Sequence, residues 1–349
     1  MQRKSREILA RKDSRVRRDR RSEERYSEDG RESVSTQPST SGKKRRYGEE
    51  DGPDADVRAG LPTKVRKRSK FERISEKVHA LLNEFHCIPA ESIRDILLYE
   101  RDVVDLFDPT NQKAYEAACQ VFARKFNHFT LKDLAVIYKN MNPIFYANDI
   151  SPFEYYHTRE RSLYFIDQLL QTQYGEEDKI RKFLINLRDW FDLKGWECNP
   201  KINALCCIGP PNSGKNYFYD MLSALAYNVG HIGRVNNKTN SFALQECVGR
   251  RFIVGNEISM ESGAREDFKK ICEGSACNIR VKFQGDKVFT KCPVMLMSNF
   301  NLDICNDPHF RDVRLHTERW TLAPVLASSK KKPYPLCIFD VFEKYNVTL

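Results

Sequence analysis

Apolar residues recur at helical spacing through the front half of the chain. Ile74, Val78, Leu81, Leu82 and Phe85 form one such stripe, and a repeat of three to four residues predicts an amphipathic helix. Thr110 and Thr130 stand as N-caps before further periodic runs, and Ser151-Pro152 reads as a helix start with proline first. Ile180, Phe183, Leu184, Leu187, Trp190 and Phe191 make another stripe that ends near Gly195. Residues 71–195 are therefore expected to be mostly helical. Beyond residue 200 the pattern changes. Residues 202–208 form a short continuous apolar run, and residues 251–257 and 293–299 form two more, each ending in a polar residue. Short apolar runs predict buried strands. Residues 278–291 alternate apolar and polar on both sides of Gly285-Asp286, which predicts a hairpin turning there. The expected class is α/β.

The first strand leads into Gly209-Pro210-Pro211-Asn212-Ser213-Gly214-Lys215-Asn216, and a helical run follows from residue 217 to 227. This nearly fits the phosphate-cradling loop G-x-x-x-x-G-K-[ST] in its strand–loop–helix context. Backbone N–H groups of such a loop, with the helix N-terminus, point at phosphates. Lys215 is expected to carry its ammonium to the β and γ oxygens. A nucleoside triphosphate is thus the expected ligand. Asn216 stands where Ser or Thr normally ligates Mg²⁺; its carbonyl oxygen is a neutral substitute for a hard cation.

The other strands add chemistry at even spacing. Glu257 lies forty-two residues after Lys215, and Asn299 forty-two after Glu257. Glu257, at a strand end, is expected to orient the attacking water and to share in metal binding. Asn256 before it occupies a place where an acid is common, so metal contact there would run through water. Asn299 is expected to sense the γ-phosphate or the lytic water. Arg280, Lys282, Lys287 and Lys291 make the hairpin basic. It reads either as a contact for nucleic-acid phosphates or as an edge protected by lysines.

Charge is unevenly distributed. Residues 1–70 hold 22 Lys and Arg against 13 Asp and Glu, while the whole chain of 349 residues carries +10. The remainder is close to neutral, so nucleic-acid contact in the folded part must come from local patches. The tail has too few apolar residues to offset the entropy of ordering and is expected to be disordered. Its clusters Lys43-Lys44-Arg45-Arg46 and Lys64-Val65-Arg66-Lys67-Arg68-Ser69-Lys70 fit an import receptor or loose nucleic-acid binding; a plain solvated tail fits as well. The expected division is a basic tail over 1–70, a helical domain over 71–175 and the P-loop domain over 176–349. The eleven cysteines show no C-x-x-C pair, which fits a reducing compartment. No run approaches the ~18 apolar residues of a membrane span.

Together the P-loop, Glu257, the basic hairpin and Asn299 resemble the superfamily 3 helicases of small DNA viruses. The wording of the P-loop, with Asn216 after the lysine, is most similar to the parvovirus non-structural replication proteins of densoviruses and bidnaviruses. The resemblance spans roughly residues 180–326. It implies an AAA+-like ATPase that uses ATP and Mg²⁺. It also implies assembly as a ring, usually a hexamer, with ATP between subunits and the hairpin tracking one DNA strand 3′ to 5′. By motif position Lys215 matches the Walker A lysine, Glu257 the Walker B acid and Asn299 the sensor. Lys282 and Lys287 fall in the pore hairpin, with Lys287 nearer the tip. An arginine finger is implied from a neighbouring subunit. Arg311, Arg314 and Arg319 are the candidates, and Arg319 before an apolar strand is the preferred one. Replication of viral DNA in the host nucleus, on single-stranded and origin DNA, completes the implied picture. The family's nicking chemistry needs a His-x-His pair, and none occurs among the seven histidines. The chain is expected to be helicase-only or to lack the family's front half. The alternative is a nucleic-acid-binding or regulatory protein whose nucleotide site is degenerate at Asn216 and Asn256.

Overall fold

The computed structural model describes residues 68–99, 101–235 and 240–349. The expected disordered tail and most of its basic clusters lie outside the described residues. Lys70–Leu349 is one compact unit.

Its front is helical. Helix α1 (Lys70–Phe85) buries Ile74, Val78 and Leu82, with Leu81 and Phe85 at the margin of the same core. After β1 (Cys87–Ile88) and the short α2 (Ile93–Leu97), α3 (Gln112–Arg124) packs against α1. Thr110 is not the cap expected there. Asp108 caps the 3₁₀ turn Pro109–Asn111 that leads into α3, its carboxylate accepting the Thr110 N–H at 2.8 Å, and α3 itself starts after Asn111 with no side-chain cap. The Thr110 hydroxyl donates to the same carboxylate at 2.8 Å and so is not free to cap α3. Thr130 does cap α4 (Leu131–Met141), through a capping box with Asp133. Strand β2 (Ile144–Phe145) pairs with β1. Ser151-Pro152 opens only the single turn α5 (Pro152–Tyr155). The long helix α6 (Arg159–Tyr174) begins later, capped by Thr158. Helix α7 (Glu177–Phe191) buries all six residues of its apolar stripe.

The second half is a five-stranded, all-parallel sheet. In chain order the strands are β3 (Ala204–Ile208), β4 (Val229–Val235), β5 (Phe252–Met260), β8 (Val294–Ser298) and β9 (Leu315–Arg319), and the spatial order is β4-β5-β8-β3-β9. Helix α8 (Lys215–Ser223) follows β3, and α9 (Arg265–Glu273) follows β5. Parallel strands are covered on both faces and so read as unbroken apolar runs. On one face Leu205, Cys207, Val254, Met295 and Met297 join a core shared with α8 and with the helices of the front half. On the other, Ala204, Cys206, Ile253, Val294 and Leu296 pack with α9. The chain closes with α10 (Cys337–Lys344), packed on α6. Cys206 and Cys207 are wholly buried strand residues, and none of the eleven cysteines is in a disulfide.

Arg251 locks the two halves together. It is 4% exposed. Its guanidinium lies 4.2 Å over the Phe191 ring and donates to the carbonyls of Phe129 and Phe191, each at 3.0 Å. Asp192 accepts the Leu131 N–H at 2.8 Å beside it. The described residues include no helix long and apolar enough to cross a membrane.

The hairpin is smaller than expected. Only β6 (Asn278–Ile279) and β7 (Lys287–Val288) pair. The turn falls at Val281–Gln284, where Gln284 N–H donates to Val281 O at 3.1 Å, and not at Gly285-Asp286. Cys277, Ile279, Phe289 and Cys292 bury the base in the second core. Beyond them Val281 is only partly buried and Phe283 stands exposed, so alternation alone cannot hold strands there.

Candidate nucleotide-binding site

The site lies at the C-terminal ends of β3, β8 and β5, where an open α/β sheet presents loops from neighbouring strands. Strand β8 sits between β3 and β5, so Asn299 falls between Lys215 and Glu257. Gly209 follows β3 and donates to Ser298 O at 3.1 Å. A Cβ at Gly209 would come within 2.5 Å of Trp320 O, so the backbone needs glycine here. The loop turns through Asn212 at φ 63° and Gly214 at φ 87°. Left-handed backbone is cheap for Gly and tolerable for Asn. Helix α8 then starts at Lys215.

Lys215 is 5% exposed. Its ammonium donates to Gly209 O at 2.5 Å, Pro210 O at 3.1 Å, Ser213 Oγ at 3.2 Å and Asn299 Oδ1 at 3.1 Å. All four acceptors are neutral. Among the described residues, no carboxylate lies within ion-pair distance of it. Burial accordingly pulls its pKa below the ordinary lysine value, while the Cys207 thiol and Glu257 push the other way. A buried cation paired only with dipoles calls for an anion.

Glu257 leaves the strand pattern. Its φ of 49° coincides with a register shift between β4 and β5, and such strain in a non-glycine residue is concentrated at functional sites. The kink brings its carboxylate to the end of β8, where Oε1 accepts Asn299 N–H at 2.8 Å and Oε2 accepts Ser298 Oγ–H at 3.2 Å. The structure thus brings Lys215, Asn299 and Glu257 into one hydrogen-bonded chain. Asn216 is half-buried in the first turn of α8, and its carboxamide has no hydrogen-bond partner among the described residues. Asn256 is exposed beside Glu257. Together Asn216 and the Glu257 carboxylate offer oxygen donors suited to a hydrated Mg²⁺.

The arginines divide. Arg314 is committed to Glu273 at 2.9 Å and to His309 O at 2.6 Å. Arg311 is exposed, and among the described residues its one ion-pair partner is Asp312, at 3.6 Å. Arg319 ends β9 and does not precede an apolar strand, as the sequence suggested. It pairs in register with Ile208 and donates to Asn301 Oδ1 at 3.0 Å. It therefore stands beside its own chain's P-loop. After it the backbone turns off the sheet, because Trp320 packs inward on Tyr219 and Phe218.

On the hairpin, Lys282 lies in the turn and Lys287 in β7, opposite Ile279. This reverses the expected order: Lys282, not Lys287, is at the tip. Its ammonium lies 5.0 Å over the ring of Phe283, which is 93% exposed. Lys291 is taken up by Pro200 O at 2.7 Å. Sequence reasoning missed Phe283, whose place at an apex depends on where the turn falls. It also missed Ser298, Gln173 and Asn301, which carry no motif.

The sequence model of the family described as "Parvovirus non-structural protein NS1" matches residues 195–309, the stretch from before β3 to beyond the sensor strand. The initiator protein NS1 of Diatraea saccharalis densovirus is 32% identical over 295 residues, covering 82% of this chain and 52% of the relative. That of Junonia coenia densovirus (isolate pBRJ/1990) gives the same figures. The chain is similar to the parvovirus NS1 proteins. This NS1-like chain spans about half the length of those densovirus relatives. Among solved structures, a JCV helicase with a bound thiazolopyridine compound is 12% identical, with a TM-score of 0.47, over 79% of this chain and 86% of that one.

Proposed function

We propose that this chain hydrolyses ATP with Mg²⁺ and uses the energy to move along single-stranded DNA, as a helicase in the replication of a small viral genome. The observation that carries the reading is the buried Lys215 ammonium, surrounded by neutral oxygens in a glycine-bounded loop and chained through Asn299 to Glu257. A triphosphate would supply the missing negative charge, and the loop's backbone N–H groups and α8 would add their dipoles. Glu257, held in place by Asn299 N–H and Ser298, would orient the attacking water. Asn299 would read the γ-phosphate from between the two. Bound Mg²⁺ would neutralise charge on the phosphates; Asn216 and Glu257 are the residues that would hold it.

The names of the relatives support initiation of viral replication as the setting, with origin and single-stranded DNA as partners. Work as a ring, usually of six, would bring an arginine from the next subunit. Arg311, exposed and loosely paired, suits that role better than Arg319, which stands beside its own chain's P-loop strand. The hairpin turn, with Lys282 and Phe283, would contact the DNA strand through one charge and one stacking face. The basic clusters of the tail would serve import into the host nucleus.

The test is ATP turnover by the purified chain with Mg²⁺, with and without single-stranded DNA. DNA-stimulated turnover is the expected result. Nucleotide binding without turnover would favour a degenerate site, with the neutral Asn216 and Asn256 as its cause.

A further inference from the structure

Gln173 sits next to the end of α6, 40 residues before Ser213 and 148 before Thr321. Its half-buried carboxamide is fully used. Nε2 donates to Ser213 O at 3.2 Å and to Thr321 O at 2.9 Å. Oε1 accepts Thr321 N–H at 2.7 Å and Thr321 Oγ1–H at 3.3 Å. The Thr321 N–H can only donate, which fixes the orientation of the amide.

Two segments meet at this carboxamide. One is the P-loop peptide between Ser213 and Gly214. The other is the strap that follows β9, from Thr321 to the 3₁₀ turn Pro324–Ser328. The strap also reaches the loop directly, through Ala323 N–H to Asn212 O at 3.1 Å. Leu169 of α6 and Leu326 of the strap press on Gly214, where a Cβ would meet their methyls at 2.6 and 2.9 Å. The P-loop's outer wall is therefore α6 and the strap, and Gln173 is its polar tie.

The peptide plane gives the tie a consequence. A trans peptide points its C=O and N–H in opposite directions. Holding Ser213 O towards α6 aims the Gly214 N–H away from α6, and that N–H belongs to the phosphate cradle. A glycine at φ 87° has no side chain to resist a flip of this peptide. We infer that Gln173 is a positioning residue for nucleotide binding, presetting the 213–214 peptide and fastening the strap to it. The inference rests on the nucleotide reading above. Its physical basis is preorganisation: a donor already aimed costs nothing to order when the ligand arrives.

The experiment measures the affinity of the full chain for a fluorescent N-methylanthraniloyl-ATP with Mg²⁺. The proteins are the parent, Gln173→Leu and Gln173→Glu, each checked for parent-like circular dichroism. Gln173→Leu removes all four hydrogen bonds and is expected to weaken binding about tenfold or more. Gln173→Glu keeps an acceptor for Thr321 but, when ionised, cannot donate to Ser213 O. A carboxyl facing two carbonyls and a triphosphate holds its proton to raised pH. Its affinity should therefore recover towards the parent's between pH 8 and pH 5.5, a change that simple loss of packing would not produce. Parent-like binding by Gln173→Leu, or an equal deficit of Gln173→Glu at both pH values, would overturn the inference while leaving the nucleotide reading intact. A parent that binds no nucleotide overturns both.

Discussion

Replacing Lys215 with methionine separates the two roles its burial implies. Methionine keeps the length and the apolar stem but loses the charge. Without nucleotide, the four oxygens at 2.5–3.2 Å lose a donor, which costs about 1.5–3 kcal/mol for bonds to a charged group. The substitution also removes a buried cation that has no carboxylate partner among the described residues, which offsets a similar amount. The nucleotide-free variant should therefore unfold close to the parent temperature. The nucleotide effect should differ sharply. At about 100 times its Kd, a ligand stabilises by ~2.7 kcal/mol, or roughly 5–10 °C at about 2–4 °C per kcal/mol. Losing about 2 kcal/mol of contact to phosphate weakens binding roughly thirtyfold. The same ATP concentration then stabilises the variant by only about 0.9 kcal/mol, a shift of about 2–4 °C. Hydrolysis should fall at least about 100-fold. Thermal unfolding with and without Mg-ATP, beside a phosphate-release assay, reads both effects. A variant with the parent's full nucleotide shift, or with its turnover rate, would refute the assignment of Lys215 to the phosphates.

Glu257→Gln should keep nucleotide binding while hydrolysis drops about 100-fold or more, since the amide can hold the Asn299 contact but cannot activate water; parallel binding and turnover measurements check this, and unchanged turnover removes Glu257 from the chemistry. On the hairpin, Phe283→Ala should cost about 1–3 kcal/mol in single-strand affinity, and Lys282→Ala should lower the salt slope by about 0.7, with Lys287→Ala affecting binding less; an equal or larger effect at Lys287 would contradict the tip geometry. Acid should destabilise the fold: burial holds His86 and His157 below the ordinary histidine value of 6.5, so the unfolded chain binds more protons than the folded one, and their contribution, complete above pH 6.5, is lost as pH falls below it. His157→Gln should flatten the fall in melting temperature between pH 7 and 5.5, and an unchanged slope would exclude His157 as a cause.

Much of the molecule is written in local pattern. The strands ending at Ile208 and Ser298 are buried on both faces, so each is an unbroken apolar run that any reading of the chain finds. The P-loop needs glycine at Gly209 and Gly214 for close approach and left-handed backbone, and that need is visible as spacing. The six buried positions of α7 follow from a 3.6-residue period. These features depend on neighbours in the chain, and local physics is enough to specify them. The features that escaped depend on partners far along it. Gln173 matters only because α6 is packed beside a loop and a strap 40 and 148 residues away. The hairpin tip moved from Gly285 to Phe283 because burial of Cys277, Ile279 and Phe289 ends the supported strand early, and alternation says nothing about where a covering layer stops. Arg319 ends a strand and does not precede one, because Trp320 found its place against α8. Glu257 shows both levels at once. Its position after an apolar run marks it as a strand-end acid, but only the sheet order, which inserts β8 between β5 and the P-loop strand, places its carboxylate on Asn299 and within the field of Lys215.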